Sequence, residues 1–425
     1  MGTGFPQADF RNTPHTAVVP FYLYAAVSLL AGSVLLFLSA SLFTGHYFNP
    51  GSLAITHIMA LGWGTMIILG ASHQLVPVLT EKSLYSLRLA HLTFWLAACG
   101  IPLLVYGFYK MDMGWPAKWG GRLLLLAILV YVINLFRSLQ HGKKMNVHAV
   151  YILTAALWLF ITAFLGLTLV YNFTIPFLPQ DILAYLPLHA HAGIIGWFLL
   201  LIIGVGSRLI PMFLISKYQQ PRLLYVIYFL INGGLLFYQL SFLWLPAAPL
   251  LIPACLIGTG LFLFVFYCIQ VFRQRIRKQV DEPMKISLLS VSMIVLPLLT
   301  VLVLSGRLLS GEHQLKTVQL YGFVIFFGWI TALILGMTFK TLPFIIWNKV
   351  YHEKAGVEKT PNPNDLYNKK LFAVMALIYL AGFVLFSAGI LLGMISLLQT
   401  GAVLLTGMAF LYCLNVYRVW KHKPV

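Results

Sequence analysis

Runs of about twenty apolar residues follow one another along nearly the whole chain, each long enough to cross a bilayer as a helix. Of 425 residues, 60% are hydrophobic and only 9% are charged, too little charge to cover a soluble protein of this size. The expected fold is all-α: a polytopic membrane protein with twelve transmembrane helices. The sequence places them at Ala17 to Phe43, Ser52 to Leu79, Leu87 to Tyr109, Trp119 to Leu139, Val147 to Tyr171 and Leu186 to Leu214, then at Leu223 to Phe242, Leu250 to Phe272, Ile286 to Leu304, Val318 to Trp347, Leu371 to Gly393 and Leu397 to Val419. No stretch is left for a separate soluble domain, so residues 1–425 read as a single transmembrane domain. Met1 to Val18 carries Asp9 and Arg11 and lacks the basic, apolar and cleavage regions of a signal peptide, so it is expected to be retained. Cys99, Cys255, Cys268 and Cys413 all fall in apolar spans and read as buried small hydrophobes, not disulfides or metal ligands.

Three of the spans share a spacing, Gly-Trp-x6-Gly-x6-Pro, in copies roughly 130 residues apart. It runs through Gly62, Trp63, Gly70 and Pro77 on span two. It returns as Gly196, Trp197, Gly204 and Pro211 on span six, and as Gly328, Trp329, Gly336 and Pro343 on span ten. Twelve spans therefore divide into three pseudosymmetric four-helix repeats, about 17–139, 147–272 and 286–419, with the motif on the second helix of each. The glycines allow close helix approach in lipid, and each proline fixes how its helix stops or kinks. Six residues before the Trp, the first two copies carry His57 and His191, and the third carries Phe323.

The formal net charge is +18, and its distribution points to topology. Lys82, Arg88, Arg137, Lys143, Lys144, Lys217, Arg222 and the cluster Arg273, Arg275, Arg277, Lys278 and Lys285 fall in alternate loops. So do Lys349, Lys354, Lys359, Lys369 and Lys370, and the C-terminal Arg418, Lys421 and Lys423. The opposite loops hold Lys110, Lys118, Arg122, Arg307 and Lys316 and little else. The richer set is expected to be cytoplasmic with both termini inside, in the inner membrane of a bacterium. The partner implied is the lipid bilayer, anionic lipid included, and not nucleic acid. The loop from Asn348 to Asn368, with Pro361, Asn362, Pro363 and Asn364, reads as a turn-rich connection.

His57 lies about five residues inside its span, roughly 7 Å deep at 1.5 Å per residue. His189 and His191 lie at a similar depth on span six. Polar side chains within a span are costly unless partnered. Imidazoles at one depth on sister helices read as ligands of haem iron, copper or zinc; the alternative is hydrogen-bonded core histidines. Residues two apart on a helix point about 200° away from each other, so His189 and His191 serve different neighbours. His46 and His313, in outer loops, are further candidate ligands, though surface histidines are commoner. His73 sits near the inner end of span two, ten residues after Trp63, and His91 and His148 lie at inner ends; His73 either joins an inner site or, on the plainer reading, is a helix-end imidazole facing a carbonyl. Arg208 and Lys340, eleven residues after their Trp, are expected to snorkel to the inner surface, where Gln74 is their counterpart on span two. Trp63, Trp197 and Trp329 either stack on a porphyrin or pack the repeat.

The run His189-Ala190-His191-Ala192-Gly193-Ile194-Ile195-Gly196-Trp197, with Gly204 and Pro211 behind it, resembles the tenth-helix motif of subunit I of the haem-copper oxidases, nearest the C-type oxidase and nitric oxide reductase branch. In that family this helix binds two haems on opposite faces, and His57 matches the second-helix axial ligand. The resemblance implies twelve spans in three arcs and b-type haem, one or two. His57 and His191 would clamp one iron, and His189 would face the third arc with a second haem, a copper ion or no ligand. It also implies a cytochrome or quinol electron donor and accessory subunits. The chain departs from the family in carrying the two-histidine helix sixth, not tenth. Span ten has no histidine, no His-His pair exists for copper, and no carboxylate lies within a span. Asp9, Glu81, Asp112, Asp181, Asp281, Glu282, Glu312, Glu353, Glu358 and Asp365 are all terminal or in loops.

The function expected is a haem-binding membrane protein that handles electrons or a diatomic gas such as oxygen or nitric oxide. If it turns over a substrate, it is an oxidoreductase of the haem-copper oxidase or nitric oxide reductase type. A twelve-span haem- and copper-containing family linked to nitrosative stress shares the architecture. The alternatives are a haem sensor or assembly factor without turnover, and a twelve-helix transporter. A transporter would usually show polar or charged residues near the midplane and broken helices, and the sequence has histidines at outer depth and almost no midplane charge.

Overall fold

The computed structural model describes residues 13–80, 83–140, 146–244, 251–309, 315–355 and 357–424. Asp9, Arg11, Glu81, Lys82, Lys143, Lys144, Glu312 and His313 lie outside these residues. Among those described, all regular structure is helical apart from two isolated β-bridges. Twelve helices are long and apolar enough to cross a membrane, which makes this an integral membrane protein. Span one is His15–Leu38, two Pro50–Val78, three Leu87–Tyr109, four Trp115–Gln140, five Val147–Asn172 and six Ile182–Leu214. Span seven is Pro221–Phe242, eight Leu251–Arg273, nine Glu282–Gly306, ten Leu315–Lys354, eleven Lys369–Leu392 and twelve Ile395–Trp420.

Polar caps set several of these starts. Asn49, Asn146, Asp181, Asp281 and Asn368 each accept a hydrogen bond from a backbone N–H two or three residues on, at the heads of spans two, five, six, nine and eleven. Span one stops earlier than expected: the α-helix ends at Leu38 and tightens into a 3-10 turn over Ala40–Thr44. Span nine is interrupted at Ile294, because Pro297 has no N–H for the carbonyl four residues back.

The chain packs as two compact units. One comprises Ser72–Gly100 and Lys118–Gln279 with Thr13 and Pro14. In it span five lies along span six, and span seven against span eight. The other comprises His15–Ala71, Ile101–Ala117 and Val280–Val425. Here span nine lies along span ten, eleven pairs with twelve, and span one packs between twelve and the first part of span two.

Each motif glycine sits where a neighbouring helix comes close. A Cβ on Gly62 would meet Ser28 Oγ at 2.7 Å, and one on Gly70 would meet Phe21 at 2.7 Å, both on span one. One on Gly196 would meet Trp158 at 2.5 Å, and one on Gly204 would run into Tyr151, both on span five. On span ten, a Cβ at Gly336 would strike Ser287 and the Pro283 carbonyl of span nine, and one at Gly328 would meet Phe383 at 2.9 Å. The expected close approach in lipid is therefore present at every motif glycine.

Two other expectations change. Cys268 is buried, but Cys99 and Cys255 are exposed; all four cysteines are free. A helix in lipid can be apolar on its outer face, so an apolar span does not imply a buried thiol. Lys340 does not snorkel: its ammonium lies 2.5 Å from Asp281, the cap of span nine, and its side chain is only 5% exposed. The carboxylate offers a buried charge partner, which a helix end alone would not.

Candidate functional site

In all three motif copies the backbone changes from α to π. The π-helical segments are Ile58–Thr65, Ala192–Leu199 and Val324–Ile330, and the residue at the head of each is His57, His191 and Phe323. The register shift is visible where the segments end. The Met66 N–H bonds the Leu61 carbonyl, and the Leu200 N–H bonds the Ile195 carbonyl, each five residues back. Single π turns inside α-helices recur at functional sites.

His57 and His191 use the same geometry. His57 Nδ1 lies 2.7 Å from the Leu53 carbonyl, and His191 Nδ1 lies 2.8 Å from the Pro187 carbonyl, each four residues earlier. A carbonyl can only accept, so Nδ1 carries the proton and the imidazole lone pair is on Nε2. A metal-binding histidine is usually prepared in this way, with one ring nitrogen held by a backbone carbonyl and the other directed to the metal. The His57 ring packs on Phe108 at 4.4 Å, within the unit that holds span one. The His191 ring meets Tyr238 of span seven edge-on at 5.3 Å, within the other unit. Both histidines are half-buried.

Copy three has filled the same position. Phe323 is 3% exposed and stacks nearly parallel on Phe386 at 4.5 Å, Phe327 at 5.1 Å and Phe383 at 5.7 Å.

His189 is seated on span five. Its Nδ1 lies 3.0 Å from the Thr162 carbonyl of span five. The ring sits on Gly166, where an added Cβ would meet it at 2.7 Å. The missing side chain of Gly166 leaves a notch of imidazole size, and the Thr162 carbonyl supplies the acceptor. Its neighbour two residues on contacts span seven, so the two histidines do diverge.

Trp63 is 0% exposed; it donates to Thr331 Oγ1 at 3.0 Å and meets Tyr412 edge-on. Trp197 is 1% exposed and meets Tyr131 edge-on. Both rings are enclosed by protein side chains. His73, five residues before the end of span two, is 2% exposed and edge-on to Tyr131 at 5.7 Å. His148, in the first turn of span five, bonds the Gly204 carbonyl at 3.0 Å, a packing role. His46 accepts the Phe48 N–H at Nδ1 and stacks on Tyr47. Among the described residues no three His, Cys, Asp or Glu side chains gather into a metal-ion cage.

The sequence reading missed Thr162, Gly166, Phe108 and Tyr238. Only Gly166, the single glycine of span five, left a trace of its role. No family model matches the chain, and no curated protein is similar to it.

Proposed function

We propose that this is a haem-binding integral membrane protein that handles electrons or a diatomic gas, with His57 and His191 as axial ligands through Nε2. One observation carries the reading. At two of three sister positions, at the mouth of a π-helical segment, the imidazole is held by Nδ1 on its own helix's carbonyl. At the third, phenylalanine rings fill the space.

Haem iron would supply redox chemistry and affinity for oxygen or nitric oxide. The chain's own part is to bind, orient and keep dry. The Leu53 and Pro187 carbonyls fix each tautomer and raise the basicity of Nε2. Phe108 and Tyr238 limit ring rotation. His189, seated on Gly166, is a packing residue in this reading and a second ligand only as a departure from it. Two imidazoles with a lone pair on Nε2 suit the axial positions of haem iron. The three π-helical copies support a threefold pseudosymmetric repeat, and the basic loops support a bacterial inner membrane with both termini cytoplasmic.

The test is a visible spectrum of protein purified from haem-replete cells, in wild type and in His57→Ala, His191→Ala and His189→Ala. The expected result is a Soret band and a low-spin α-band sharpened by reduction. The low-spin signal is lost in the first two variants and kept in the third. A folded, colourless preparation, or spectra unchanged in both His57→Ala and His191→Ala, overturns the reading.

A further inference from the structure

A second site lies in the unit that holds spans five to eight, at the end where span six turns into span seven. A cavity of about 380 Å³ opens there, within the size range of small-molecule sites. Its walls include Arg208 and Lys217, the amides of Gln219 and Gln220, and the hydroxyls of Ser207 and Ser216. No Asp or Glu lines it, and among the described residues neither cation forms an ion pair.

The frame of the cavity is pinned. Span six ends with Ile215 in the left-handed region at φ 51°, a strained place for a β-branched residue. Backbone bonds hold that turn: the Ile276 N–H donates to the Ile215 carbonyl at 3.1 Å, and the Arg277 N–H to the Leu214 carbonyl at 3.3 Å. Tyr267 OH donates to the Ser207 carbonyl at 3.0 Å, tying span eight to span six. Strain held in place beside a concave polar surface is characteristic of ligand sites.

We infer that this cavity binds a phosphate group. Two unpaired cations of different shape, a guanidinium for forked contacts and an ammonium as a point charge, suit an anion with several acceptor oxygens. The Gln219 and Gln220 amides and the Ser216 hydroxyl add neutral donors, whereas the Ser207 hydroxyl is already spent on the Gly204 carbonyl. Apolar wall residues, Pro211, Met212 and Leu224, suit a carbon skeleton attached to the phosphate. That group is carried either by an anionic phospholipid or by a soluble phosphate ester.

The test uses the full chain in detergent. One arm follows retention of phosphatidylglycerol against phosphatidylcholine by native mass spectrometry. The other titrates glycerol 3-phosphate by calorimetry. Arg208→Gln and Lys217→Gln are compared with Arg273→Gln, which removes a charge outside the cavity, and unchanged melting shows that all three are folded. A tenfold or greater loss of affinity in the two cavity variants, with less than twofold in Arg273→Gln, supports the site. Binding in the first arm alone assigns it to lipid, and binding of the ester assigns it to a soluble phosphate. No binding in either arm, or an equal loss in Arg273→Gln, overturns it.

Discussion

At the scale of single residues, the most exacting positions are the motif glycines. Gly336 faces Ser287 and the Pro283 carbonyl with no room for a methyl group, whereas Gly407, in span twelve of the same unit, has no atom within 4 Å of an added Cβ. The two glycines should respond oppositely to the same change. Gly336→Ala forces spans nine and ten apart and should cost about 1–3 kcal/mol, the usual price of overpacking. Gly407→Ala removes backbone freedom from the unfolded chain and should gain about 0.5–1 kcal/mol. Thermal unfolding in detergent reads both, and a shift of the same sign in the two variants would refute the packing argument. The Gly336 contact was legible in the sequence because its spacing repeats. The Nδ1 bonds of His57 and His191 were not, since a backbone carbonyl acceptor has no residue code. The docking of His189 on Gly166 was hidden for a related reason: nothing in span six says which neighbour it meets.

At the scale of elements, the apolar lengths announced the helices, and their starts were read two to four residues late at spans six, nine and eleven. The reason is physical. Asp181, Asp281 and Asn368 are polar caps that precede the first apolar residue, so hydropathy alone begins too far in. The π-helical segments left no hydropathic trace, because one extra residue per turn scarcely alters an all-apolar pattern. The Lys340–Asp281 pair was equally invisible, joining residues 59 apart in sequence. It fastens the head of span nine to span ten, with the two side chains 5% and 20% exposed. Removing one partner of a buried pair strands the other, at about 3–5 kcal/mol. Asp281→Asn and Lys340→Met should each lower the unfolding midpoint substantially, while the double variant should lose clearly less than the sum. Strict additivity would show that the pair is not coupled.

At the scale of the whole molecule, the number of spans and the placement of charge make one joint prediction about sidedness. An even count, the twelve spans found among the described residues, predicts that the first and last spans open on one side and that the loops alternate. Loops after even-numbered spans carry most of the basic residues, and loops after odd-numbered spans carry few. Basic flanks are generally retained on the cytoplasmic side, so the alternation predicts an orientation that the span count alone does not. Single cysteines at Asp112 and Phe177, which follow spans three and five, should react with a membrane-impermeant maleimide in intact cells when the four native cysteines are replaced. Single cysteines at Lys359 and Lys421, which follow spans ten and twelve, should react only in inverted vesicles. Labelling of all four from one side would mean that a span of sufficient length and apolarity does not cross. Labelling with the opposite polarity would keep the span count and reverse the charge rule for this chain. The distinction bears on both sites, because it decides which compartment reaches His57 and His191 and which reaches the cavity beside Arg208.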